Sequence, residues 1–94
     1  EGVYEIAQNY YLAAARQYQS INDSLGLGKT YNNIGEVYKK LKQYDKSLQY
    51  QLLALQTIKN DPSSLRLNLY NIGETYIGLQ QYEKAQDYLN RALD

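Results

Sequence analysis

The six residues Asn33-Ile34-Gly35-Glu36-Val37-Tyr38 decide the fold, because they recur with one change as Asn71-Ile72-Gly73-Glu74-Thr75-Tyr76, 38 residues later. A second motif occurs three times, as YEIAQNY from Tyr4, YDKSLQY from Tyr44 and YEKAQDY from Tyr82, at spacings of 40 and 38 residues. The two motifs alternate in a fixed order. Self-similarity at such a period is typical of a protein built from stacked structural repeats.

Apolar residues inside each repeat follow the period of an α-helix, as in the series Tyr31, Ile34, Tyr38 and Leu41. The chain has one proline, and no segment alternates convincingly between apolar and polar residues. We therefore predict an all-α protein of five helices, over residues 3–22, 29–41, 44–60, 63–79 and 82–94. A single domain over 1–94 would then contain three units, 1–27, 28–65 and 66–94.

Small residues stand at fixed places in the repeats. Gly35 and Gly73 lie in mid-helix, where glycine costs about 1 kcal/mol relative to alanine. Close approach of the paired helix would compensate for that cost, and Ala7, Ser47 and Ala85 offer the matching shallow surface. Most tyrosines are predicted to pack rather than to bind, namely Tyr31, Tyr38, Tyr76 and the series Tyr4, Tyr44 and Tyr82.

The composition removes several function classes. Cysteine and histidine are both absent, which excludes thiolate nucleophiles, imidazole bases and nearly every zinc or haem site. Ten basic and ten acidic residues cancel, so the net charge favours neither nucleic acid nor an anionic membrane as a partner. No cofactor, metal or enzyme activity is predicted. The compartment is not indicated, and the cytoplasm is only a default.

At these motifs the sequence resembles the tetratricopeptide repeat family, in its longer-spaced class of about 38–40 residues. The family pattern appears as Tyr31-x2-Ile34-Gly35-x2-Tyr38, and its later part as Ala85-x3-Leu89. Gln51 stands where the family usually has an aromatic residue. The resemblance implies a right-handed superhelical solenoid that is a non-catalytic protein-interaction module. Because the motif at Tyr4 belongs to a second helix, we expect a fragment that lacks the first helix of its first repeat.

The segment DSLGLGKT, residues 23–30, ends like a phosphate-binding loop. Such a loop needs a preceding strand and a glycine at the position that Asp23 occupies. The sequence before it is an amphipathic helix, so we interpret 23–30 as a linker between repeats. Gly26 and Gly28 are then a helix stop and a turn, and nucleotide binding through Lys29 and Thr30 is the least favoured alternative.

In the resembled family, the first helix of each pair lines a concave groove that holds a peptide. Carried over by position, the peptide-binding residues are Lys29, Asn32, Asn33, Glu36, Lys40, Leu67, Tyr70, Asn71, Glu74 and Ile77. Asn33 and Asn71 are the leading candidates, because an amide can both donate to and accept from a peptide backbone. The alternative is a solvated helix face that was copied by duplication.

Charge distinguishes the groove candidates. Glu36 has a structural explanation, a helix-stabilising pair with Lys40 four residues on, whereas Gly78 lies at the same distance from Glu74. Glu74 is therefore the better candidate for selecting a basic or hydroxyl-bearing ligand. With Glu36 and Glu74 in mid-groove, no strong preference for a C-terminal carboxylate is expected.

The alternative function is a structural spacer or a self-associating element. The exposed face predicted for the first helix, at Ile6, Tyr10 and Ala13, would need a cover. The expected partner is thus a protein or peptide of unknown identity, or a second copy, and neither nucleic acid nor a membrane.

Overall fold

The computed structural model describes residues 2–94, and this part of the chain contains five helices and no strand. The helices are α1 Val3–Ser20, α2 Ser24–Lys40, α3 Tyr44–Thr57, α4 Pro62–Gly78 and α5 Tyr82–Leu93. Each helix packs against the next, and α2 also contacts α4, whereas α1 and α3 do not contact each other. The helices α2 and α4 therefore share one layer, and α1, α3 and α5 form the other. The predicted all-α fold is confirmed.

Residues with a left-handed backbone follow four of the helices. They are Asn22, Lys42, Asn60 and Gln80, with φ values of 58° to 61°. After three of these helices, the N–H of the residue that follows the left-handed one donates to a carbonyl in the last turn of the helix. The Asp23 N–H, for example, donates to the Tyr18 carbonyl at 2.9 Å. This is the bonding of a Schellman motif, in which glycine is the commonest residue. Here the left-handed positions carry asparagine, lysine and glutamine instead.

The segment 23–30 is helical, so the prediction of a linker was wrong. Helix α2 begins at Ser24, five residues before the predicted start, and the Asp23 carboxylate caps it by accepting from the Gly26 N–H at 2.9 Å. Neither glycine is a stop or a turn. A Cβ at Gly26 would lie 2.5 Å from Tyr18, and one at Gly28 would lie 2.5 Å from Ile58. Both glycines are thus used for close helix packing.

The other helix bounds differ less from prediction. Helix α3 ends at Thr57 rather than at residue 60, because Ile58 already has an extended backbone. Helix α4 begins at Pro62, a residue favoured in the first turn, where its missing N–H has no helical partner to lose. The unit boundaries expected at 27/28 and 65/66 fall inside α2 and α4. The helix ends place the changes of unit near Asn22 and Asn60.

The close helix approach predicted at the two mid-helix glycines is present. A Cβ at Gly35 would lie 2.7 Å from Gln51 Cγ and 3.1 Å from the Ser47 carbonyl oxygen. A Cβ at Gly73 would lie 2.7 Å from Leu89 Cδ2 and 3.3 Å from the Ala85 carbonyl oxygen. Each glycine therefore allows its helix to approach the backbone of the partner helix.

Buried apolar residues come from all five helices, and one cluster of them lies between α3, α4 and α5. Its centre is Ile72, Tyr76 and Ala85, surrounded by partly buried Leu48, Leu52, Leu55, Leu79 and Tyr88. The packing predicted for the tyrosines holds for Tyr76, whose ring stacks on Tyr88 at 5.6 Å. It is wrong for Tyr4 and Tyr82, which are exposed at the starts of their helices. Tyr44, at the start of α3, is half-buried because it packs against Gly78 of α4.

A layer of buried polar groups joins α2, α3 and α4. Gln51 and Asn68 are both fully buried. The Asn68 amide donates to Asn32 Oδ1 at 2.8 Å and to the Gln51 carbonyl at 2.9 Å. The Thr75 hydroxyl donates to Gln51 Oε1 at 2.7 Å. The glutamine that departs from the family pattern is therefore a partner in this polar layer.

Candidate functional site

The surface on which α2 and α4 lie side by side carries most of the predicted binding residues. Near the N-terminal ends of these two helices, the surface contains a cavity of about 190 Å³. It is lined by Lys29, Asn32, Asn33, Ser64 and Leu67. Four of these residues were predicted, and Ser64 was not. We call this cavity, together with the ionic cluster described next, the α2–α4 groove.

Charged side chains from both helices meet further along the same surface. Lys39 Nζ lies 2.5 Å from Glu74 Oε1 and 3.1 Å from Glu36 Oε1. The lysine therefore bridges two consecutive repeats. The predicted pair of Glu36 with Lys40 is wrong: Glu36 pairs one residue earlier, with Lys39, and Lys40 is exposed.

The ionic cluster shifts the titration of its members. Burial alone would lower the pKa of Lys39, but hydrogen bonds to Glu74 and Glu36 outweigh it and raise that pKa. Burial alone would raise the pKa of Glu74, but hydrogen bonds from Lys39 and Tyr70 outweigh it and lower that pKa. Both groups are thus held charged, and Glu74 is not the free carboxylate that the sequence indicated.

Tyr70 lies one helical turn before Glu74, at the solvent edge of the cluster. Its side chain is about half exposed. A hydrogen bond to the Glu74 carboxylate raises the pKa of the Tyr70 hydroxyl, so the phenol stays protonated. The hydroxyl is held by Glu74 while about half of the side chain is open to solvent, which suits contact with a ligand side chain.

The two leading candidates differ in exposure. Asn33 is exposed and lies on the rim of the cavity, whereas Asn71 is only 9% exposed. None of the side-chain hydrogen bonds among residues 2–94 involves either amide. Asn32 is different, because it is buried and its oxygen accepts from Asn68. Asn32 thus belongs to the wall of the groove rather than to its open surface.

Two other predicted residues add apolar surface. Leu67 is 57% exposed beside the cavity, and Ile77 is 46% exposed near the far end of α4. Lys29 is exposed on the cavity rim. The groove therefore combines a polar floor, an ionic cluster and exposed apolar side chains along one helix.

Sequence reasoning missed Lys39, Ser64 and Asn68. Lys39 stands three residues after Glu36, and a pair at that spacing was a usable signal. Its contact with Glu74 has no local signal, because it joins residues 35 positions apart. Asn68 and Ser64 have no counterpart in a repeated motif, so duplication could not mark them.

Other kinds of site find no support in the described part of the chain. Among residues 2–94, no three acidic, histidine or cysteine side chains come together as metal ligands. No helix within that range is long and apolar enough to cross a membrane. Residues 24–30 are helical, and the Thr30 hydroxyl donates to the Gly26 carbonyl, so this segment does not form a phosphate-binding loop.

Comparison with known proteins gives one result. The profile of the tetratricopeptide repeat matches residues 27–94. No curated protein and no solved structure matches the chain. The matched range covers α3, α4, α5 and most of α2, which include both copies of the mid-helix glycine motif. The chain belongs to the tetratricopeptide repeat family, whose members are in general protein–protein interaction modules.

Proposed function

We propose that this protein binds an extended peptide or partner segment in the α2–α4 groove, without catalysis. The observation that carries the proposal is the exposed Asn33 amide beside the cavity, on a surface with exposed Leu67 and half-exposed Tyr70. A side-chain amide can pair with the N–H and C=O of any peptide. Leu67 and Tyr70 would then favour peptides whose own side chains pack against these two residues.

The charges of the groove restrict the ligand further. Lys39 neutralises one of the two carboxylates that it contacts, so the ionic cluster carries a net negative charge of one. Lys29 and Lys40 are exposed cations of α2, and neither forms an ion pair with a carboxylate of the cluster. A peptide with a hydroxyl or a cation opposite the cluster is favoured over one with a terminal carboxylate there.

The test compares three forms of the protein in capture from a lysate of the cells that produce it. The double variant Asn33→Ala/Asn71→Ala removes both amides, and Asn90→Ala, an exposed position on α5, is the matched control. We expect at least one protein to be held by wild type and the control and lost by the double variant. Equal recovery by all three forms would reject the groove as the binding surface.

A second function is supported by a separate observation, an uncovered apolar stripe on α1. Val3, Ile6 and Tyr10 are 79%, 55% and 71% exposed on successive turns. Such a stripe on a repeat protein favours association with another apolar surface. Self-association predicts a mass that rises with concentration in light scattering and returns to the monomer value in Ile6→Glu. A constant monomer mass for wild type would reject this function.

A further inference from the structure

A second concave surface lies on the layer opposite the α2–α4 groove. The helices α1 and α3 do not contact each other, and a cleft of about 600 Å³ separates them. Tyr31 of α2 lines the cleft between them, while Leu12 and Ala15 form one wall and Leu52 and Leu53 form the other. We call this surface the α1–α3 cleft. It shares no lining residue with the α2–α4 groove.

The repeat itself supplies a comparison for this cleft, because the pair α3 and α5 is related to the pair α1 and α3 by the same motif. Ala15 corresponds to Leu55, a larger side chain that packs against the core cluster. Leu53 corresponds to Arg91, whose guanidinium lies over the Tyr88 ring at 5.0 Å. At these two positions the α1–α3 cleft has a smaller residue in place of leucine and an uncharged residue in place of arginine. The helices α3 and α5 do not contact each other either, so the separation of the two walls comes from the fold, and it is these two residues that distinguish the cleft from its counterpart.

The fold does not require an apolar residue at the position of Leu53, because the equivalent position of α5 holds Arg91. The Leu53 side chain is 42% exposed at the wall of the cleft, where the equivalent arginine is accommodated one repeat later. Leu53 joins Leu12 and Leu52 in an apolar patch along the cleft, and an exposed patch of this kind indicates a surface used for contact.

The charge of the cleft indicates what it contacts. Arg16 is the one charged residue that lines it, and the rest of the rim carries the neutral amides of Gln19, Gln49 and Gln56. Within residues 2–94, no carboxylate lies within ion-pair distance of Arg16. A ligand carboxylate beside Arg16 would therefore find an unpaired guanidinium, which suits bidentate contact.

We propose that the α1–α3 cleft docks the apolar face of an amphipathic helix from a protein partner, with an acidic residue of that helix against Arg16. The cleft is bounded by two helices, so its walls have the ridges and grooves into which a third helix packs. Its lining runs from Leu12 to Gln19 on α1, about 10 Å of helix, which matches about two turns of a partner. This binding is independent of the proposed groove function.

The proposal is tested by selection from a displayed library of 14-residue peptides. Apolar residues are fixed at positions i, i+3, i+4 and i+7, and each flanking position carries Glu, Gln or Lys at equal frequency. We expect the selected peptides to be enriched in Glu at one flanking position. Arg16→Glu should reverse that preference towards Lys. Selection without a charge preference, or no selection at all, would overturn the proposal.

Variants taken from the counterpart repeat separate loss of the cleft from loss of folding. Leu53→Arg introduces the residue found at the equivalent position of α5, and Ala15→Leu introduces the one found in α3. Each should weaken the best selected peptide at least tenfold while circular dichroism stays unchanged. Retention of affinity by both variants would overturn the proposal.

The position of the bound peptide distinguishes the two surfaces. In amide NMR spectra, shifts caused by the selected peptide should fall on α1 and α3, and Asn33→Ala/Asn71→Ala should bind it with unchanged affinity. Shifts confined to α2 and α4, with loss of binding in that double variant, would overturn the cleft proposal and support the groove instead.

Discussion

Replacement of Gly35 by alanine tests the packing that holds a helix pair together. The new Cβ would lie 2.7 Å from Gln51 Cγ, in the middle of a fully buried side chain, and 3.1 Å from a backbone oxygen of α3. Neither neighbour can move without disturbing the buried polar layer. Overpacking of this kind costs about 1–3 kcal/mol, and the better helix propensity of alanine returns about 1 kcal/mol. Because Gln51 is fully buried, the cost lies in the upper half of that range, and we expect Gly35→Ala to lower the free energy of unfolding by about 1–2 kcal/mol.

Gly73→Ala is the matched comparison in the next repeat. There the nearest atoms are Cδ2 and Cγ of Leu89, a half-buried side chain that can change rotamer, and the backbone oxygen is 3.3 Å away. The propensity gain then offsets most of the clash, so the change in stability should stay below about 1 kcal/mol. Gly2→Ala, with no atom within 4 Å, is the neutral control.

The assay is urea denaturation followed by circular dichroism, with a thermal scan beside it. A loss of 1 kcal/mol corresponds to about 4–8 °C in a domain of this size. Gly35→Ala should melt clearly below Gly73→Ala, and both should retain the wild-type spectrum. If Gly35→Ala were as stable as wild type or more so, the packing account of this glycine would be refuted.

Three further changes test the polar layer, the ionic cluster and the helix cap. Asn68→Ala removes two buried hydrogen bonds and leaves a small cavity, so urea denaturation should show a free energy of unfolding lower by about 2–4 kcal/mol. A decrease below about 1 kcal/mol would contradict the role of the polar layer. The pKa of Glu74 is lowered in the folded state, so its contribution is present above the unfolded pKa and is lost as pH falls through the folded one. Because the pair with Lys39 is partly exposed, Glu74→Gln should lower the free energy of unfolding by less than about 1 kcal/mol at neutral pH. Near pH 2 the same change should have no effect. An equal effect at both pH values would exclude the ion pair as the cause. Asp23→Ala loses the hydrogen bond from the Gly26 N–H, so thermal unfolding should show a loss of about 1 kcal/mol. Asp23→Asn keeps an acceptor at this position and should cost only a few tenths of a kcal/mol. Equal losses in the two variants would contradict the cap.

The duplicated motif made the helices and their pairing predictable from the sequence. Gly35 and Gly73 recur with partners at equivalent positions of the repeat, and the structure brings each against the small residue expected, Ser47 or Ala85. The start of α2 was not predictable in the same way. Glycine usually marks a helix end, but here Gly26 and Gly28 serve close packing, and Asn22 adopts the left-handed conformation that ends α1.

The candidate groove was predictable by position but not in its chemistry. The repeat register placed Asn33 on α2 and placed Tyr70 and Glu74 on α4, and these two helices share one layer. The role of Lys39 depends on the distance between α2 and α4, and no spacing along the chain encodes that distance. The burial of Asn32 likewise follows from a partner on α4 that lies outside the repeated motif.

The central claim, that the exposed Asn33 amide of the α2–α4 groove binds a partner, is tested most directly by calorimetric titration of the captured segment. One side-chain amide can donate one hydrogen bond to a peptide backbone and accept another, and loss of these two bonds, each worth about 1 kcal/mol, predicts affinity at least tenfold weaker for Asn33→Ala/Asn71→Ala. Asn90→Ala should bind like wild type, and the melting temperature of the double variant should stay within about 5 °C of wild type. Equal affinity of all three forms would contradict the claim.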